Sequence, residues 1–209
     1  MFKVWFQLFD FVWNFRIGTG SVTVYAEEGI VFLRSQNVYD DGLYLDDVVY
    51  ITSETDELMR GSRIREGDVL LNITGASLGR TCIVPDGFVR ANVNQHVCII
   101  RLKNLELRKF VAMFMKSSRL KGQIDSMQSG AAREGLNFEQ ISKLSLAIPS
   151  ESEQAQIVEF LDRETKNLDT LSAEAERAIS LLQERRQALI SAAVTGKIDV
   201  RNFLPSEAA

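Results

Sequence analysis

The amino-acid sequence predicts an α+β protein, in which a mostly antiparallel β domain with short helices is followed by one long coiled-coil-forming α-helix. Three observations predict this fold class. Short β-branched and aromatic clusters alternate with turn residues between Gly29 and Arg101, apolar residues then recur at helical spacing, and residues 151–195 contain neither proline nor glycine. We therefore expect a globular domain at residues 1–148, a long helix with its C-terminal cap at 149–201, and a tail at 202–209.

The first fifteen residues, within an atypical N-terminal segment at 1–20, are unusually rich in aromatic side chains, among them Trp5, Phe9 and Trp13. Lys3 and Asp10 interrupt this stretch, which is too short to span a bilayer. We expect a strand or short helix that either packs on the core or replaces a segment missing upstream. No other stretch approaches the length of a membrane span, so the sequence predicts a soluble, cytoplasmic protein without membrane association.

Five apolar clusters between residues 30 and 100 predict short strands. Turns such as Asp40-Asp41-Gly42 separate them, because glycine supplies a positive φ and aspartate bonds the backbone. The predicted strands lie at residues 30–33, 48–51, 69–73, 82–84 and 97–100. This segment is typical of a twisted, mostly antiparallel β domain.

Residues 105–121 predict one amphipathic helix with a basic face. Its apolar residues at helical spacing are Leu107, Phe110, Val111, Phe114 and Met115. Its basic residues include Arg108, Lys109, Lys116 and Lys121. These charges either form a solvated face on a core-packed helix or contact the backbone of a nucleic acid.

The clearest boundary in the sequence lies at Pro149-Ser150. Proline disfavours continuation of the preceding segment, and Ser150 with Glu153 forms a Ser-x-x-Glu capping box that starts a helix. Gly196 is a natural C-terminal cap. A helix over 151–195 is roughly 67 Å long at about 1.5 Å per residue.

An apolar seam runs along this predicted helix at heptad spacing, which is the pattern of a coiled coil. Glu164 and Arg185 interrupt one series of the seam, and its alanines favour a close approach of the paired helices. We therefore expect a partner helix along its length. The seam residues are Ile157, Leu161, Leu168, Leu171, Ala175, Ala178, Leu182 and Leu189.

Charge is unevenly distributed along the chain. The formal net charge is −4, but residues 60–143 hold fourteen basic and seven acidic side chains, whereas residues 1–59 hold three and ten. The acidic total argues against an indiscriminate polyanion binder. The basic middle fits a local phosphate-facing surface, with random clustering of charge as the alternative.

Neither a metal site nor a cofactor site is predicted. Cys82 and Cys98 lie sixteen residues apart in apolar runs, without the spacing of a zinc site, so we expect reduced, buried thiols. The sequence contains neither a P-loop nor a strand-linked Gly-x-Gly-x-x-Gly. We therefore expect no nucleotide or S-adenosylmethionine cofactor.

Residues 75–79 match the Gly-x-Ser-x-Gly nucleophile elbow of hydrolases, with Ser77 as the nucleophile. The elbow requires a helix directly after the serine, but residues 79–85 are typical of a strand. His96, the one histidine of the chain, would have to act as the base, with Asp86 as the acid. A serine hydrolase is therefore the less favoured alternative.

Two polar loops carry side chains that are able to read DNA bases. Amides pair bidentately with adenine edges and arginines with guanine edges in the major groove. Asparagine also caps turns, so a purely structural role is the alternative. The loops contain Arg34, Ser35, Gln36 and Asn37, and Asn92, Asn94, Gln95 and His96; Arg80, Arg90 and Arg133 are further basic candidates.

Several stretches together resemble the specificity subunits of type I restriction-modification systems. In the β region they are residues 32–39, 41–42, 67–71, 74–80 and 91–96. In the helix they are residues 148–149, 153–154, 160–165 and 188–200. The resemblance covers roughly residues 28–201.

The resemblance implies a non-catalytic subunit that tells methyltransferase and restriction partners which double-stranded DNA to modify or cut. Full-length members resemble two copies of this arrangement in tandem, whose long helices pair antiparallel and hold two target-recognition domains apart on a bipartite target. One copy implies either a half-subunit that forms a homodimer through the helix, or a truncated or shuffled gene product that must pair with a different half-subunit. A coiled-coil assembly protein without sequence-specific DNA binding is the alternative.

From the loops, the basic helix and the resemblance together we expect a set of DNA-binding residues. They are Arg34, Ser35, Gln36, Asn37, Ser77, Arg80, Asn92, Asn94, Gln95, His96, Arg108, Lys109, Lys116, Lys121 and Arg133.

Overall fold

The computed structural model describes residues 4–17, 25–128 and 135–201. In chain order the strands are β1 Val4–Gln7, β2 Val12–Ile17, β3 Tyr25–Ala26, β4 Ile30–Leu33, β5 Val38–Tyr39, β6 Gly42–Leu43, β7 Val49–Ile51, β8 Val69–Asn72, β9 Thr81–Ile83, β10 Ala91–Val93, β11 Val97–Leu102 and β12 Ser145–Ile148. The α-helices are α1 Ser53–Leu58, α2 Arg108–Met115, α3 Ser118–Gln128, α4 Phe138–Ser142 and α5 Glu151–Val194.

Two four-stranded sheets form the body of the β domain. The first, with strand order β2–β11–β8–β9, is antiparallel throughout. The second has the order β10–β4–β7–β3 and contains one parallel pair, β10 with β4. β1 pairs with β12 and β5 with β6, both antiparallel. Together with the short helices and α5, these sheets confirm the predicted α+β class.

The first sheet is buried on both faces, because it lies between the short helices and the second sheet. Successive residues of a strand point to opposite faces. Leu71 packs in a core cluster with Met115 and Leu120 of the helices. Its neighbour Leu70 packs on the other face with Leu33 of β4. This packing fixes the strand ends, and with them the loops that follow.

The aromatic N-terminal segment takes part in this core. β2 pairs with β11 as the edge strand of the first sheet, and β1 pairs with β12. Leu8 and Val12 are buried. Of the two expectations for residues 1–20, packing on the core is the one observed for their described part.

Residues 105–121 form two α-helices, so the prediction of a single helix is wrong. α2 ends at Met115, and α3 begins at Ser118. The Ser117 hydroxyl donates to the Phe114 carbonyl (2.6 Å) and accepts from the Leu120 amide (3.3 Å). A serine that satisfies a free amide at a helix start competes with continuation of the preceding helix.

Helix α5 confirms the predicted long helix over residues 151–195. At its start the Glu153 amide donates to Ser150 Oγ (3.4 Å), and the Glu153 carboxylate accepts from the Ser150 amide (3.2 Å). At its end Gly196 adopts a φ of +71°. The amides of Gly196 and Lys197 donate to carbonyls of the last turn, which closes the helix.

By its contacts the chain divides into two compact units, Met1–Val158 and Glu159–Ala209. The division falls about two turns into α5. The functional boundary at residue 148 stays a prediction. Across the described ranges, no helix combines the length and the apolar character that crossing a membrane requires.

Candidate nucleic-acid interface

Three polar loops follow neighbouring strands of the two sheets. Residues 34–37 follow β4, residues 74–80 follow β8, and residues 94–96 follow β10. Because β4 and β10 are parallel neighbours, their following loops lie at the same end of the second sheet. We call the surface formed by residues 34–37, 74–80 and 94–96 the loop end.

Hydrogen bonds join the three loops to one another. The Asn94 amide donates to the Leu33 carbonyl (3.0 Å), which ties the third loop to the end of β4. The buried Asn72 side chain, at the end of β8, donates to the carbonyl of half-buried Ser35 (2.7 Å). The loop end is therefore braced by the strand ends of both sheets.

The first loop is bonded to residues 44–47. Asn37 is buried, accepts from the Arg34 amide (2.9 Å) and donates to the Tyr44 carbonyl (2.9 Å). The Arg34 side chain donates to the Asp47 carbonyl (2.9 Å), and Gln36 donates to the Asp47 carboxylate. Asn37 therefore supports the loop, while Arg34 and exposed Gln36 share one acidic partner.

The third loop and its strand combine buried and exposed amides. Asn92 is fully buried, where its side chain donates to the Asp56 carboxylate and accepts from the Ser62 hydroxyl (2.9 Å). Asn94 is also buried, and its side chain accepts from a backbone amide of the same loop (3.1 Å). Gln95 is exposed. Gln95 is thus the amide of this loop that a DNA groove is able to reach.

The second loop lacks the geometry of a nucleophile elbow. Gly75–Ser77 form a 3-10 turn that is followed by β9 rather than by a helix. The Ser77 carbonyl accepts from the Arg80 amide (3.1 Å), and the His96 ring nitrogen lies 2.7 Å from the Thr74 hydroxyl. Ser77 and His96 therefore both contribute to the shape of the loop end.

Of two further predicted basic residues, Arg80 lies within the loop end and Lys121 borders it. The Arg80 guanidinium stacks over the Tyr39 ring, 4.6 Å from its centre. Lys121 of α3 pairs with Asp40 (3.1 Å), which also accepts from the Thr81 amide (2.9 Å). These contacts place α3 beside the β5–β6 hairpin.

The other three predicted DNA-binding residues of residues 105–121, namely Arg108, Lys109 and Lys116, lie at the two ends of α2. Arg108, at its start, pairs with Asp86 (3.1 Å) in the turn after β9. Lys109 lines a hollow of about 270 Å³ together with the first residues of α5. Lys116 follows the last residue of α2. The predicted basic face is therefore divided, and Arg133 lies outside the described residues.

A hollow lined by arginines lies beside β2, and sequence reasoning did not group its residues. Its volume is about 420 Å³, and a second hollow of about 430 Å³ shares three of its arginines. The sequence signal that points to it is the Arg-x-x-Arg-x-Arg run at residues 60–65. We call it the arginine hollow; its arginines are Arg16, Arg60, Arg63, Arg65, Arg90 and Arg101.

Buried carboxylates hold three of these arginines. Asp56 is fully buried and pairs with Arg63 (2.7 Å) and with Arg90. Asp68 is 2% exposed and contacts Arg101 through both carboxylate oxygens (2.8 and 2.6 Å). Two-point contacts of this kind fix the plane of a guanidinium as well as its position.

Both thiols are buried, as expected from the apolar runs around them. Burial raises the pKa of Cys82 and of Cys98 to about 12, so both groups stay protonated at neutral pH. In residues 4–17, 25–128 and 135–201, no three histidine, cysteine, aspartate or glutamate side chains are grouped to hold a metal ion.

The braced loops, the two-sheet domain and the long helix together define a class of protein. Residues 21–179, from before β3 well into α5, match the family described as the type I restriction modification DNA specificity domain. The chain belongs to this family, which confirms the resemblance seen in its motifs.

Curated relatives are subunits of named restriction enzymes. The chain is similar to the EcoKI specificity subunit of Escherichia coli strain K12, with 23% identity over 197 residues, 88% of this chain and 40% of that one. It is also similar to the StySPI specificity subunit of Salmonella potsdam, with 33% identity over 89 residues, 43% of this chain and 19% of that one. The chain thus spans at most about 40% of the length of these relatives.

Two solved structures have the same fold. The HsdS subunit from Thermoanaerobacter tengcongensis matches with a TM-score of 0.62 and 17% identity, over 93% of this chain and 45% of that chain. A chain from a study of complex assembly and conformational transition of the type I restriction-modification system matches with a TM-score of 0.71 and 16% identity, over 90% of this chain and 45% of that chain.

Proposed function

We propose that this chain recognises DNA sequence as the specificity component of a type I restriction-modification complex, and directs methyltransferase and restriction subunits to a bipartite target. The observation that carries the proposal is the family match over residues 21–179, which includes the loop end and more than half of α5. In this role the chain is non-catalytic, its partners supply the chemistry, and it acts with them in the cytoplasm.

The loop end supplies side chains suited to base edges. Gln36 and Gln95 are exposed amides, which pair with adenine, and Arg34 and Arg80 carry guanidiniums, which pair with guanine. DNA competes with Asp47 for Arg34 and Gln36, so a poorly matched sequence leaves both side chains on Asp47. This competition favours discrimination between sequences over general affinity.

The other expected DNA-binding residues divide by exposure and bonding. Asn37, Asn92, Asn94 and His96 use side-chain polar atoms within the fold, so we assign them the positioning of the loops. Lys121 and Lys116 lie on or next to α3, which borders the loop end, and we assign them contacts to phosphates that position the duplex. Ser35 and Ser77 shape the loops through their carbonyl groups.

Helix α5 supplies an apolar seam for pairing. Leu168, Leu182 and Leu189 are 63, 64 and 53% exposed. Contiguous exposed apolar surface marks a site of protein association. A second helix of the same kind, packed antiparallel, places a second recognition domain on the other half of a bipartite target. We propose a homodimer, with pairing to a different half-subunit as the alternative.

The test is selection of duplexes from a randomised library by the chain assembled with its cognate methyltransferase subunits. The proposal predicts enrichment of one sequence with two specified parts and an unspecified gap. The methyltransferase subunits alone serve as the control and enrich none. Recovery of unselected sequences by the complete assembly would show a coiled-coil assembly protein without sequence recognition.

A further inference from the structure

The described part of the arginine hollow is not neutralised by its own acidic residues. Arg63, Arg90 and Arg101 pair with the carboxylates of Asp56, Glu57 and Asp68, so six arginines face three paired carboxylates. Within residues 4–17, 25–128 and 135–201, the other three arginines of the hollow form no ion pair with a carboxylate. They are Arg16, Arg60 and Arg65.

The fold holds these three guanidiniums against a common hollow. Arg16 lies on the edge strand β2, opposite Ile99, and a Cβ added at Gly61 would lie 3.1 Å from Arg16 Nη1. Arg60 and Arg65 flank the same short segment and are exposed. Two acids lie near them in sequence: Glu66, next to Arg65, accepts from the Gly87 amide (2.8 Å), and Glu57, three residues before Arg60, pairs with Arg63 (2.5 Å). Like charges held close repel, and an anion in the hollow relieves that repulsion.

The border of the loop end supplies only part of the phosphate contacts that DNA binding requires. Lys116 and Lys121 lie there beside four acidic residues, Asp40, Asp41, Asp46 and Asp47, and Lys121 is paired with Asp40. Phosphate contacts nevertheless provide much of the affinity of proteins for DNA. The arginine hollow has an excess of positive charge that suits such contacts. The guanidinium fork matches two phosphate oxygens at once.

The position of the hollow fits a role beside the groove. Asp68 and Arg101 lie at one end of β8 and β11, whereas residues 74–80 and 94–96 lie at the other. A four-residue strand such as β8 is about 13 Å long at roughly 3.3 Å per residue. The major groove is about 12 Å wide. In an orientation that lays β8 across the groove, with the loop end over the base edges, the hollow lies over the phosphates at one border of the groove.

We propose that the arginine hollow binds the phosphodiester backbone of DNA through Arg16, Arg60 and Arg65, with Arg63, Arg90 and Arg101 held as its frame. This inference rests on the proposed function, because it names the backbone contact of the same recognition domain. It predicts that the hollow contributes affinity without contributing sequence preference.

The experiment is a salt titration of DNA binding by the chain assembled with its methyltransferase subunits. R60Q/R65Q is the test variant, because both side chains are exposed and their removal leaves the Asp56 and Asp68 networks intact. The slope of log affinity against log salt flattens by about 0.9 for each phosphate that the variant no longer neutralises, on cognate and random duplexes alike. R60K/R65K keeps the charges and restores most of the slope. K166Q/R177Q, which removes two exposed charges from α5, leaves the slope unchanged.

Other outcomes overturn the inference and separate it from the proposed function. An R60Q/R65Q slope equal to that of wild type, with cognate preference intact, removes the hollow from DNA binding and leaves the proposed function standing. Failure of R60Q/R65Q to assemble with the methyltransferase subunits, when R60K/R65K assembles, assigns the hollow to an acidic protein surface. If R60Q/R65Q flattens the slope but the wild-type assembly shows no preference for a cognate sequence, the backbone contact of the hollow is supported and the proposed sequence recognition is wrong.

Discussion

Asp56 connects the core of the recognition domain to its charged surface. Its carboxylate is fully buried and accepts hydrogen bonds from Arg63, Arg90 and Asn92. Asn92 in turn lies in β10, the strand that leads to the third loop. A single buried carboxylate therefore orients two guanidiniums of the arginine hollow and supports the strand before Gln95.

Replacement of Asp56 by asparagine leaves the guanidiniums without their buried counter-charge. Removing one partner of a buried ion pair typically costs about 3–5 kcal/mol. Arg63 and Arg90 reach solvent, so we expect the low end, about 3 kcal/mol, measured by urea unfolding. Glu57→Gln is the matched control, since the Glu57 side chain is 60% exposed. The hydrogen bond from Arg63 is the main cause that lowers the pKa of Glu57. Equal stability of both variants would contradict the structural role of Asp56.

Gln95 is predicted to read a base. Gln95→Ala should cost about 1–3 kcal/mol on the cognate duplex and much less on random DNA, because a bidentate amide contact discriminates between bases. Competition binding with both duplexes measures the difference. Gln156→Ala, an exposed glutamine on α5, is the control and should change neither value. Equal reductions on both duplexes for Gln95→Ala would assign the residue to the fold or to the backbone.

At the scale of elements, the periodicity of apolar residues predicts a helix or strand correctly where that element is long or buried on one face. The capping residues Ser150 and Gly196 and the heptads between them predict α5 almost to its last residue. Strands β5, β6 and β10 are two or three residues long, too short for any period to show. The break between α2 and α3 depends on which way the Ser117 side chain bonds, and apolar spacing alone does not contain that information.

The sequence likewise predicts only part of the candidate site. The sequence indicates loops rich in amides, but only the packing decides that Asn92 is buried and Gln95 exposed. The arginine hollow joins residues as far apart as Arg16 and Arg101, which the pairing of β2 with β11 brings together. Local sequence patterns do not predict such groups of residues, because long-range strand pairing brings their members together.

The division of the basic face between α2 and α3 allows a test of which side of the domain faces DNA. Lys116→Gln with Lys121→Gln should weaken DNA binding and flatten its salt dependence, because α3 borders the loop end. Arg108→Gln with Lys109→Gln removes the same charge near Asp86 and α5, and should leave the slope unchanged. Salt titrations of the two double variants measure the difference. A larger change of slope for the Arg108 and Lys109 pair would show that the start of α2, rather than α3, faces DNA.

At the scale of the whole molecule, the seam of α5 decides whether the protein acts as a pair. Leu168→Glu with Leu182→Glu should convert the proposed dimer to a monomer, because two charges would enter an apolar seam. Light scattering at micromolar concentration measures the mass. Ala173→Glu with Ser180→Glu adds the same charge outside the seam and should leave a dimer. A wild-type chain that is monomeric under these conditions would contradict self-pairing.

Symmetry of such a dimer requires symmetry of its target. Two identical recognition domains related by a two-fold axis meet two identical half-sites, so the target is an interrupted palindrome. The paired helices set the gap between the halves. Removal of one heptad within residues 168–189 should therefore shorten the gap or abolish recognition.

The central claim is that this chain selects the DNA sequence that its partners modify, and genome-wide mapping of methylated adenines tests it most directly. The map is made in cells that express the cognate methyltransferase subunits with and without the chain. We predict methylation at one interrupted palindrome, present only when the chain is expressed. Two unrelated half-sites would instead show pairing with a different half-subunit. Methylation that is the same in both cultures would contradict the account.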